Sequence, residues 1–351
     1  MRKQLITILL IIVFCLSGTG CSRDKKVNHE NDAVFVESEF APLKKVIVSE
    51  SEFTDSMLPI NQSYIPVEEM VNPDIRDGYI YFHVNENTMK KMAAEREELV
   101  SILEKYGVEV YRPRKLSEEE KALATSADGP TNGKGLSNFF VRDPFIVVGD
   151  HVIEANFLKE YRRFEAQTAR DIYLKKCHYV GVPESDIDEE EAGPYLEGGD
   201  VLVYHKKVFV GNSGYGSNSA GIDWLRDYLA PYGYEVIEVK LQGNILHLDC
   251  ALSLVNEGLI IVCEESFADG IPEPFKNWDK ITVSEEYAEH LAVNGMAINP
   301  EVYITDIAFK NTIGKQLEER GITVEYLDFS GTRSFAGSIH CSTSPVLRYD
   351  E

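Results

Sequence analysis

Residues 197–211 read EGGDVLVYHKKVFVG, and this stretch decides the fold class. The polar cluster Glu197 to Asp200 is followed by an apolar run, the polar tripeptide 205–207 and a second apolar run. Two short valine-rich runs on either side of a polar turn predict two antiparallel strands joined as a hairpin. The stretch therefore predicts a hairpin that begins directly after a polar, glycine-containing cluster.

The same hairpin pattern recurs three more times along the chain, at 145–154, 251–263 and 296–306. The turns lie roughly 50 residues apart, a period typical of repeated supersecondary units. Helical periodicity follows three of the hairpins, at 161–175, 220–230 and 307–319. An N-terminal segment with strand 45–49, helix 89–106 and strand 108–111 adds a fifth unit. We predict one α/β domain of five ββαβ repeats around an axis; two unrelated α/β domains are the alternative.

Each hairpin of the repeat begins after a polar cluster. The clusters are RDP at 142–144, EGGD at 197–200, HLD at 247–249 and NG at 294–295, and Cys341 stands at the corresponding place near the C-terminus. Equivalent positions of a rotational repeat lie at one end of its axis, where ligand sites form between units. Taken singly, the clusters also fit a surface ion pair, a glycine turn, a satisfied His–Asp pair and a packed cysteine.

The residue types in these clusters suit one particular chemistry. A thiolate such as that of Cys341 is a strong nucleophile, and His247 can protonate a leaving amine and deprotonate an incoming one. Asp143, Glu197 and Asp249 would need a cation if they were buried together. A guanidinium pairs with carboxylates through several N–H donors. The set therefore predicts attack of a thiolate on the carbon of a guanidine.

Composition narrows the class of partner. The chain has 351 residues and a formal net charge of −23, which argues against nucleic acid as a ligand and favours small cationic substrates. It has six cysteines. Cys15 and Cys21 lie in the N-terminal segment, and the spacing of the others predicts neither a disulfide framework nor a CxxC metal site.

The N-terminal residues predict export. A basic start and a short apolar run precede SGTGC at 17–21, which is typical of a bacterial lipoprotein signal with lipidation at Cys21. We therefore predict a lipoprotein signal peptide at 1–21, a flexible tether at 22–38 and a catalytic domain at 39–351. The predicted location is extracytoplasmic, anchored by lipid to the bacterial cell membrane. A signal cleaved in the ordinary way and an uncleaved anchor are the alternatives.

The ordered set Arg-Asp, Glu-Gly-Gly-Asp, His-x-Asp and Gly-x-x-His-Cys, spread over residues 39–348, resembles the guanidino-group-modifying superfamily. That superfamily comprises amidinotransferases, arginine deiminases and dimethylarginine dimethylaminohydrolases, so the resemblance implies a pentein-type, five-bladed α/β propeller. Residues 147–165 and 335–341 are similar to glycine and inosamine-phosphate amidinotransferases. Residues 196–202, which contain Glu197 where amidinotransferases usually have Asp, look like the hydrolases.

The resemblance implies a role for each residue of the set. Cys341 would form a covalent amidino-enzyme, His247 would be the general acid and base, and Glu197 would hold the guanidinium and orient His247. His340 is not assigned a catalytic role. The resemblance implies no cofactor and no metal. The predicted substrate-binding residues are Asp143, Asp249 and Arg142.

The resemblance favours transfer of an amidino group from arginine or a similar donor to an amine. Hydrolysis of the dimethylarginine dimethylaminohydrolase or arginine deiminase type is the alternative, although Ala336 stands where arginine deiminases have an Arg that contacts the substrate carboxylate. A non-catalytic lipoprotein that binds cationic ligands, and a metal hydrolase using His247, Asp249 and Cys341, are the alternatives from other classes. The predicted partners are a small guanidine and the membrane, and a homo-oligomer is compatible with the sequence.

Overall fold

The computed structural model of the chain describes residues 34–50, 56–59, 74–76, 79–82, 86–125, 139–159, 162–174, 177–184 and 193–350. The predicted signal peptide, the lipidation site Cys21 and most of the predicted tether lie outside the described residues. Within those ranges, none of the helices combines the length and the apolar character needed to cross a membrane. The described residues from Val34 onwards belong to one compact unit.

The regular elements of the described ranges are short strands and mostly short helices. The strands are β1 (Phe35–Val36), β2 (Leu43–Val48), β3 (Ser56–Pro59), β4 (Asp74–Arg76), β5 (Tyr79–Phe82), β6 (Glu109–Tyr111), β7 (Phe145–Val148), β8 (His151–Glu154), β9 (His178–Gly181), β10 (Val201–Tyr204), β11 (Lys207–Asn212), β12 (Glu235–Lys240), β13 (Leu252–Asn256), β14 (Leu259–Val262), β15 (Asp279–Thr282), β16 (Met296–Asn299), β17 (Val302–Asp306), β18 (Thr323–Leu327) and β19 (Thr343–Arg348). The α-helices are α1 (Glu86–Lys105), α2 (Glu118–Thr125), α3 (Arg170–Tyr173), α4 (Ser219–Leu229), α5 (Glu285–Glu289), α6 (Lys315–Glu319) and α7 (Ser330–Arg333).

Four of the sheets repeat one strand order, β7-β8-β9, β10-β11-β12, β13-β14-β15 and β16-β17-β18. In each, the first two strands form an antiparallel hairpin and the third lies parallel to the second. The four predicted hairpins are therefore confirmed. We number the units 2 to 5 in chain order.

Unit 1 has the same order, but its first strand comes from the other end of the chain. Strand β19 pairs antiparallel with β2, and β2 pairs parallel with β6, while β1 adds to the outer edge of β19. Five sheets thus share one strand order. A separate sheet, β3-β5-β4, is inserted between β2 and α1.

The hairpin strands are buried along most of their length, and only residues at the strand ends are partly exposed. In β14, for example, all four residues from Leu259 to Val262 are buried. A short continuous apolar run is the pattern expected for a strand buried on both faces. Burying such side chains supplies the main favourable free energy of folding. This packing places the first residue of each hairpin, and the polar cluster before it, at a fixed position.

Two predicted boundaries are wrong. The predicted tether at 22–38 ends too late, because Val36 is buried and exchanges two backbone hydrogen bonds with Gly149 of unit 2, at 2.9 and 2.8 Å. The predicted helix at 161–175 is replaced by a 3₁₀ turn at Glu165–Thr168 and the single-turn helix α3. In this segment the Arg162 and Glu165 side chains pair with each other, and Arg162 also reaches Asp143 of unit 2.

Candidate active site

Hydrogen bonds join the polar clusters of neighbouring units. The Gly198 N–H of unit 3 donates to the Asp143 carbonyl of unit 2 at 2.8 Å. The Leu248 N–H of unit 4 donates to Asp200 Oδ1 of unit 3 at 3.1 Å. The clusters of units 2, 3 and 4 therefore lie side by side.

The series continues through unit 5 to the segment of Cys341. Asn294 Nδ2 donates to the Asp249 carbonyl at 3.3 Å, and the Cys341 N–H donates to Asn294 Oδ1 at 3.2 Å. The Arg142 N–H then donates to the Cys341 carbonyl at 3.1 Å. The series thus returns to unit 2, and the predicted site residues are brought together from distant parts of the chain.

His247 is buried among carboxylates. Its Nε2 donates to Glu197 Oε2 at 2.9 Å, and its Nδ1 lies 3.6 Å from Asp143 Oδ1. Burial alone would lower the pKa of His247, but the charges of Asp143 and Asp200 and the hydrogen bond to Glu197 raise it well above its ordinary value. The imidazole is therefore held in its protonated form.

Glu197 is the ionised partner of that imidazolium. Burial raises the pKa of Glu197, but the hydrogen bond from His247, its charge and the charge of Arg162 together outweigh burial, and the net pKa is lowered. Gly199 allows this close approach, since a Cβ atom there would lie 2.5 Å from His247 Nδ1 and 2.7 Å from Asp143 Oδ1. Gly199 of the EGGD cluster thus makes room for the side chains of two other units.

Asp200 holds backbone segments of the site in place through two hydrogen bonds. Its Oδ2 accepts the Ser217 N–H at 2.9 Å and its Oδ1 accepts the Leu248 N–H. Burial raises the pKa of Asp200 to about 7. Asp200 therefore fixes the turn that carries His247, a role that the EGGD motif alone did not assign to it.

The sequence analysis missed Arg162, whose guanidinium enters the cluster. Its Nη2 donates to Asp143 Oδ2 at 2.7 Å and to Glu165 Oε2 at 2.9 Å, and its Nη1 lies 3.6 Å from Glu197 Oε2. Burial raises the pKa of Glu165 to about 7, and the charge of Arg162 opposes that rise. Arg162 and Glu165 both lie in the stretch 147–165 that resembles amidinotransferases, and this resemblance was the feature that could have indicated them.

Among the described residues, two carboxylate oxygens of the cluster have no hydrogen-bond partner. They are Asp143 Oδ1 and Glu197 Oε1, and both atoms are buried. Buried acceptors in proteins are nearly always satisfied, so an orphaned pair marks a place for a donor that is missing. A ligand with several N–H groups would supply it.

The Cys341 thiol lies in a second, connected cluster. Asn294 Nδ2 donates to Cys341 Sγ at 3.2 Å, and Asp249 Oδ2 lies 3.5 Å from the sulfur. Asn294 Oδ1 also accepts the Ser338 N–H, so its amide is fixed from both ends. From the sequence, Asn294 belongs to the polar cluster that precedes a hairpin. The spacing of the clusters does not predict its hydrogen bond to the Cys341 thiol.

His340 lies between two buried carboxylates. Its Nδ1 is 2.7 Å from Asp249 Oδ2 and its Nε2 is 3.3 Å from Glu39 Oε2. Burial raises the pKa of both carboxyls, but the hydrogen bonds from His340 lower them, to about 2 for Glu39. Both carboxylates are therefore ionised, and each ring nitrogen of His340 faces a negative charge.

Arg142 is buried next to Glu39 and Asp249. Its Nη1 lies 3.9 Å from Glu39 Oε2, and its Nε and Nη2 have no hydrogen-bond partner within the part of the chain that the structure describes. Its side chain contributes positive charge next to Asp249, whose pKa it helps to lower. The structure thus places Arg142 beside Glu39, whereas Asp143, the next residue, reaches the His247 cluster.

The described residues bring together one group of three potential metal ligands, Asp249, Cys250 and Cys341, whose ligand atoms lie within 4.8 Å of one another. This set contains Cys250 where the metal-hydrolase alternative required His247. Two sulfurs and one carboxylate oxygen would suit a thiophilic metal.

The comparison with known families gives a direct match. The profile of the eukaryotic N,N dimethylarginine dimethylhydrolase family matches residues 81–348. The chain belongs to this family. The predicted membership of the guanidino-group-modifying superfamily is thereby confirmed, and the chain is an enzyme of the amidinotransferase and dimethylarginine dimethylaminohydrolase superfamily.

Individual relatives from both branches of the superfamily are similar over most of their length. Inosamine-phosphate amidinotransferase 1 of Streptomyces glaucescens is 24% identical over 90% of this chain and 97% of its own. The solved inosamine-phosphate amidinotransferase of Streptomyces griseus has a TM-score of 0.75 and 20% identity, over 91% of this chain and 97% of that one. The solved dimethylarginine dimethylaminohydrolase of Pseudomonas aeruginosa has a TM-score of 0.60 and 18% identity, over 88% and 100%. The fold is thus common to both branches, and neither branch supports a non-catalytic protein.

Proposed function

We propose that this superfamily enzyme cleaves a C–N bond of a guanidine through a covalent adduct on Cys341 and transfers the amidino group to an amine. The observation that carries the proposal is the pair of orphaned buried acceptors, Asp143 Oδ1 and Glu197 Oε1, beside the protonated His247. A planar guanidinium carries the several N–H donors that such acceptors lack. Asp249, next to the thiol, offers a further carboxylate for the substrate.

The proposed reaction begins with Cys341 as thiolate and His247 as imidazolium. The Asn294 amide N–H, 3.2 Å from the sulfur, stabilises the thiolate. The thiolate attacks the guanidine carbon and a C–S bond forms. The C–N bond to the leaving amine then breaks, and His247 gives its proton to that nitrogen.

The adduct is released by the reverse chemistry. An incoming amine attacks the amidino carbon, and neutral His247 takes the proton from its nitrogen. The C–S bond breaks and Cys341 leaves as thiolate, so both groups return to their starting forms. Glu197 orients His247 throughout, since its Oε2 accepts the ring N–H.

Transfer is favoured by the amidinotransferase-like stretch 147–165, which supplies Arg162 to the cluster. Hydrolysis is the second candidate, favoured by the family profile and by the hydrolase-like sequence around Glu197. In that case water attacks the same adduct. Transfer and hydrolysis would use the same residues in every step until the adduct on Cys341 has formed.

Product analysis tests the proposal. The full-length protein is incubated with arginine, with and without glycine, or with a methylated arginine. Ornithine formed only with an acceptor amine supports transfer, whereas citrulline with ammonia or a methylamine identifies the hydrolase. Cys341→Ala should abolish either activity, while the matched variant Cys263→Ala, at the end of β14, should retain it. Full activity in Cys341→Ala overturns the covalent mechanism.

We also propose that the five sheets close into a pseudo-five-fold propeller, supported by their common strand order and by the series of hydrogen bonds that returns to unit 2. The extracytoplasmic, lipid-anchored location is likewise a proposal, supported by the sequence of residues 1–21. It is tested by metabolic labelling with palmitate. Cys21→Ala should remove the label and release the protein from the membrane fraction.

A further inference from the structure

Cys250 is a second thiol beside the proposed nucleophile, and the proposed reaction does not use it. The Cys250 and Cys341 sulfurs lie within 4.8 Å of one another. Both side chains are buried and both are free thiols. Asn294 Nδ2 donates to both sulfurs, at 3.2 Å to Cys341 and 3.8 Å to Cys250. A single amide therefore holds the two thiols side by side.

A disulfide would bring the two sulfurs from their present separation of at most 4.8 Å to about 2 Å. A disulfide requires a separation of about 2 Å between the sulfurs and tolerates a range of backbone spacings. Rotation of a cysteine about χ1 moves its sulfur by about 3 Å between staggered positions. The segments that carry the two residues are already joined, because Asn294 Nδ2 also donates to the Asp249 carbonyl, directly before Cys250.

We propose that Cys250 and Cys341 form a reversible disulfide when the enzyme meets a peroxide, and that this bond switches the enzyme off. The bond removes the nucleophile from any guanidine chemistry, whether transfer or hydrolysis. Cys250 thereby acts as a resolving cysteine for Cys341.

The oxidation balances in two steps with hydrogen peroxide as oxidant. The Cys341 thiolate attacks one peroxide oxygen, an S–O bond forms, the O–O bond breaks and hydroxide leaves. The Cys250 sulfur then attacks the sulfenic sulfur, an S–S bond forms, the S–O bond breaks and the second oxygen leaves as water with the thiol proton. One thiolate and one thiol together lose two electrons, and hydrogen peroxide is reduced to one hydroxide and one water.

The environment of Cys250 makes it a resolving rather than an attacking thiol. Cys250 follows Asp249 directly in the chain, and its sulfur lies within 4.8 Å of the Cys341 sulfur that the peroxide would oxidise. Its S–H donates to Asp249 Oδ1 at 3.3 Å. Asp249 is therefore placed to take the thiol proton once Cys341 has become a sulfenic acid.

Peptide mapping tests the bond directly. Trypsin releases Cys250 in the peptide 241–276, which also contains Cys263, and Cys341 in the peptide 334–348. The full-length Cys263→Ala variant removes the ambiguity. Peroxide treatment, followed by alkylation and digestion without reductant, should yield the two peptides joined, and dithiothreitol should separate them. A Cys341 sulfinic acid with Cys250 still alkylated would overturn the proposal.

Recovery of activity provides the second readout. Dithiothreitol should restore most of the activity of peroxide-treated wild type, whereas Cys250→Ser should recover less than a tenth, because its Cys341 oxidises further. Cys177→Ser is the matched control and should recover like wild type. Equal recovery in Cys250→Ser and wild type would contradict the switch. The cross-linked peptide can be detected whichever reaction the enzyme catalyses, so failure of the proposed function leaves this test intact.

Discussion

His340 shows how one residue sets the charge of the site. It was assigned no role from the sequence, yet it separates the carboxylates of Glu39 and Asp249 by facing both. Without a cation between them, two buried carboxylates would repel each other and take up protons. His340 therefore acts on the chemistry through Asp249, as a positioning residue.

We predict that His340→Ala lowers the free energy of unfolding by about 3 kcal/mol, because it leaves two buried carboxylates without their hydrogen-bond partner. The activity that remains should require higher pH, since Asp249 loses the partner that keeps it ionised. Urea denaturation and a pH profile of kcat/KM measure the two effects. The exposed His290→Ala serves as control and should change stability by less than about 0.5 kcal/mol. An unchanged pH profile in a folded His340→Ala would contradict this role.

The raised pKa of His247 predicts the alkaline limb of activity. The imidazolium is present below that raised value and is lost as pH increases through it, so the leaving amine is no longer protonated. Glu197→Gln removes one of the charges that raise the pKa. We expect kcat/KM of this variant to fall at a lower pH than in wild type.

The same shift links His247 to stability. Its pKa in the folded protein is raised, so its contribution is complete below the unfolded value of about 6.5 and is lost as pH rises through the folded pKa. Thermal denaturation at several pH values should show a smaller loss on the alkaline side for Glu197→Gln. Coincident pH profiles for wild type and variant would contradict the assignment of His247.

At the scale of elements, helix α1 holds the segment that precedes the nucleophile. Its buried side chains are Met92, Glu95, Arg96, Leu99 and Leu103, a stripe that includes two charged residues. Glu95 accepts the Gly331 and Thr332 N–H groups of α7, at 2.7 and 2.9 Å. Arg96 donates to Thr332 Oγ1 at 2.9 Å and to the Phe139 carbonyl at 3.1 Å. The helix thus anchors α7, eight residues before Cys341.

We predict that Glu95→Ala lowers the free energy of unfolding by about 3 kcal/mol, because it leaves buried N–H donors of α7 without an acceptor. Because α7 leads to Cys341, kcat should fall as well. Chemical denaturation and product assays on purified protein test this. Glu98→Ala, at an exposed position of the same helix, is the matched control and should behave like wild type. Wild-type kcat in Glu95→Ala would show that α7 does not position the nucleophile.

The elements also show where sequence interpretation succeeds. The hairpins could be predicted because each is a local pattern of apolar runs around a polar turn. The helix predicted at 161–175 was wrong, since the structure has a 3₁₀ turn and the single-turn helix α3 there, and Arg162 contacts Asp143 of a distant segment. The buried positions of Glu95 and Arg96 could not be predicted, since both contact Thr332, more than 230 positions away.

In the candidate site, too, features that follow from the sequence repeat could be predicted, and contacts between individual side chains could not. The carboxylates, His247 and Cys341 could be predicted because a repeat places equivalent positions together. The hydrogen bonds of Asn294 and the bridging position of His340 depend on side-chain geometry that spacing does not specify.

At the scale of the whole molecule, Arg348 joins the first unit to the fifth. Its Nε donates to the Ala41 carbonyl at 2.7 Å, and its Nη2 donates to the Ala297 carbonyl of β16. Burial lowers the pKa of this guanidinium to about 10. One buried cation at the end of β19 therefore connects the strands beside it to a different sheet.

We predict that Arg348→Ala lowers the free energy of unfolding by about 3 kcal/mol or more, because it opens a cavity and leaves two carbonyls without donors. Activity of the folded fraction should fall too, since β19 directly follows the Cys341 segment. Urea denaturation measures the first effect and a product assay measures the second. The surface variant Lys315→Ala, whose side chain is 69% exposed, should unfold like wild type. A stability change below about 1 kcal/mol for Arg348→Ala would contradict the link between units.

The pairing of β19 with β2 has a consequence for biosynthesis. Residues 343–348 pair with residues 43–48, so a ribosome must translate about three hundred codons between the two partners. During that time the nascent first sheet has an open edge, and contacts so distant in sequence form slowly. The thiol of Cys341 is itself translated just before the strand that completes the sheet. The growing polypeptide therefore carries no assembled nucleophile until its last sheet strand has emerged.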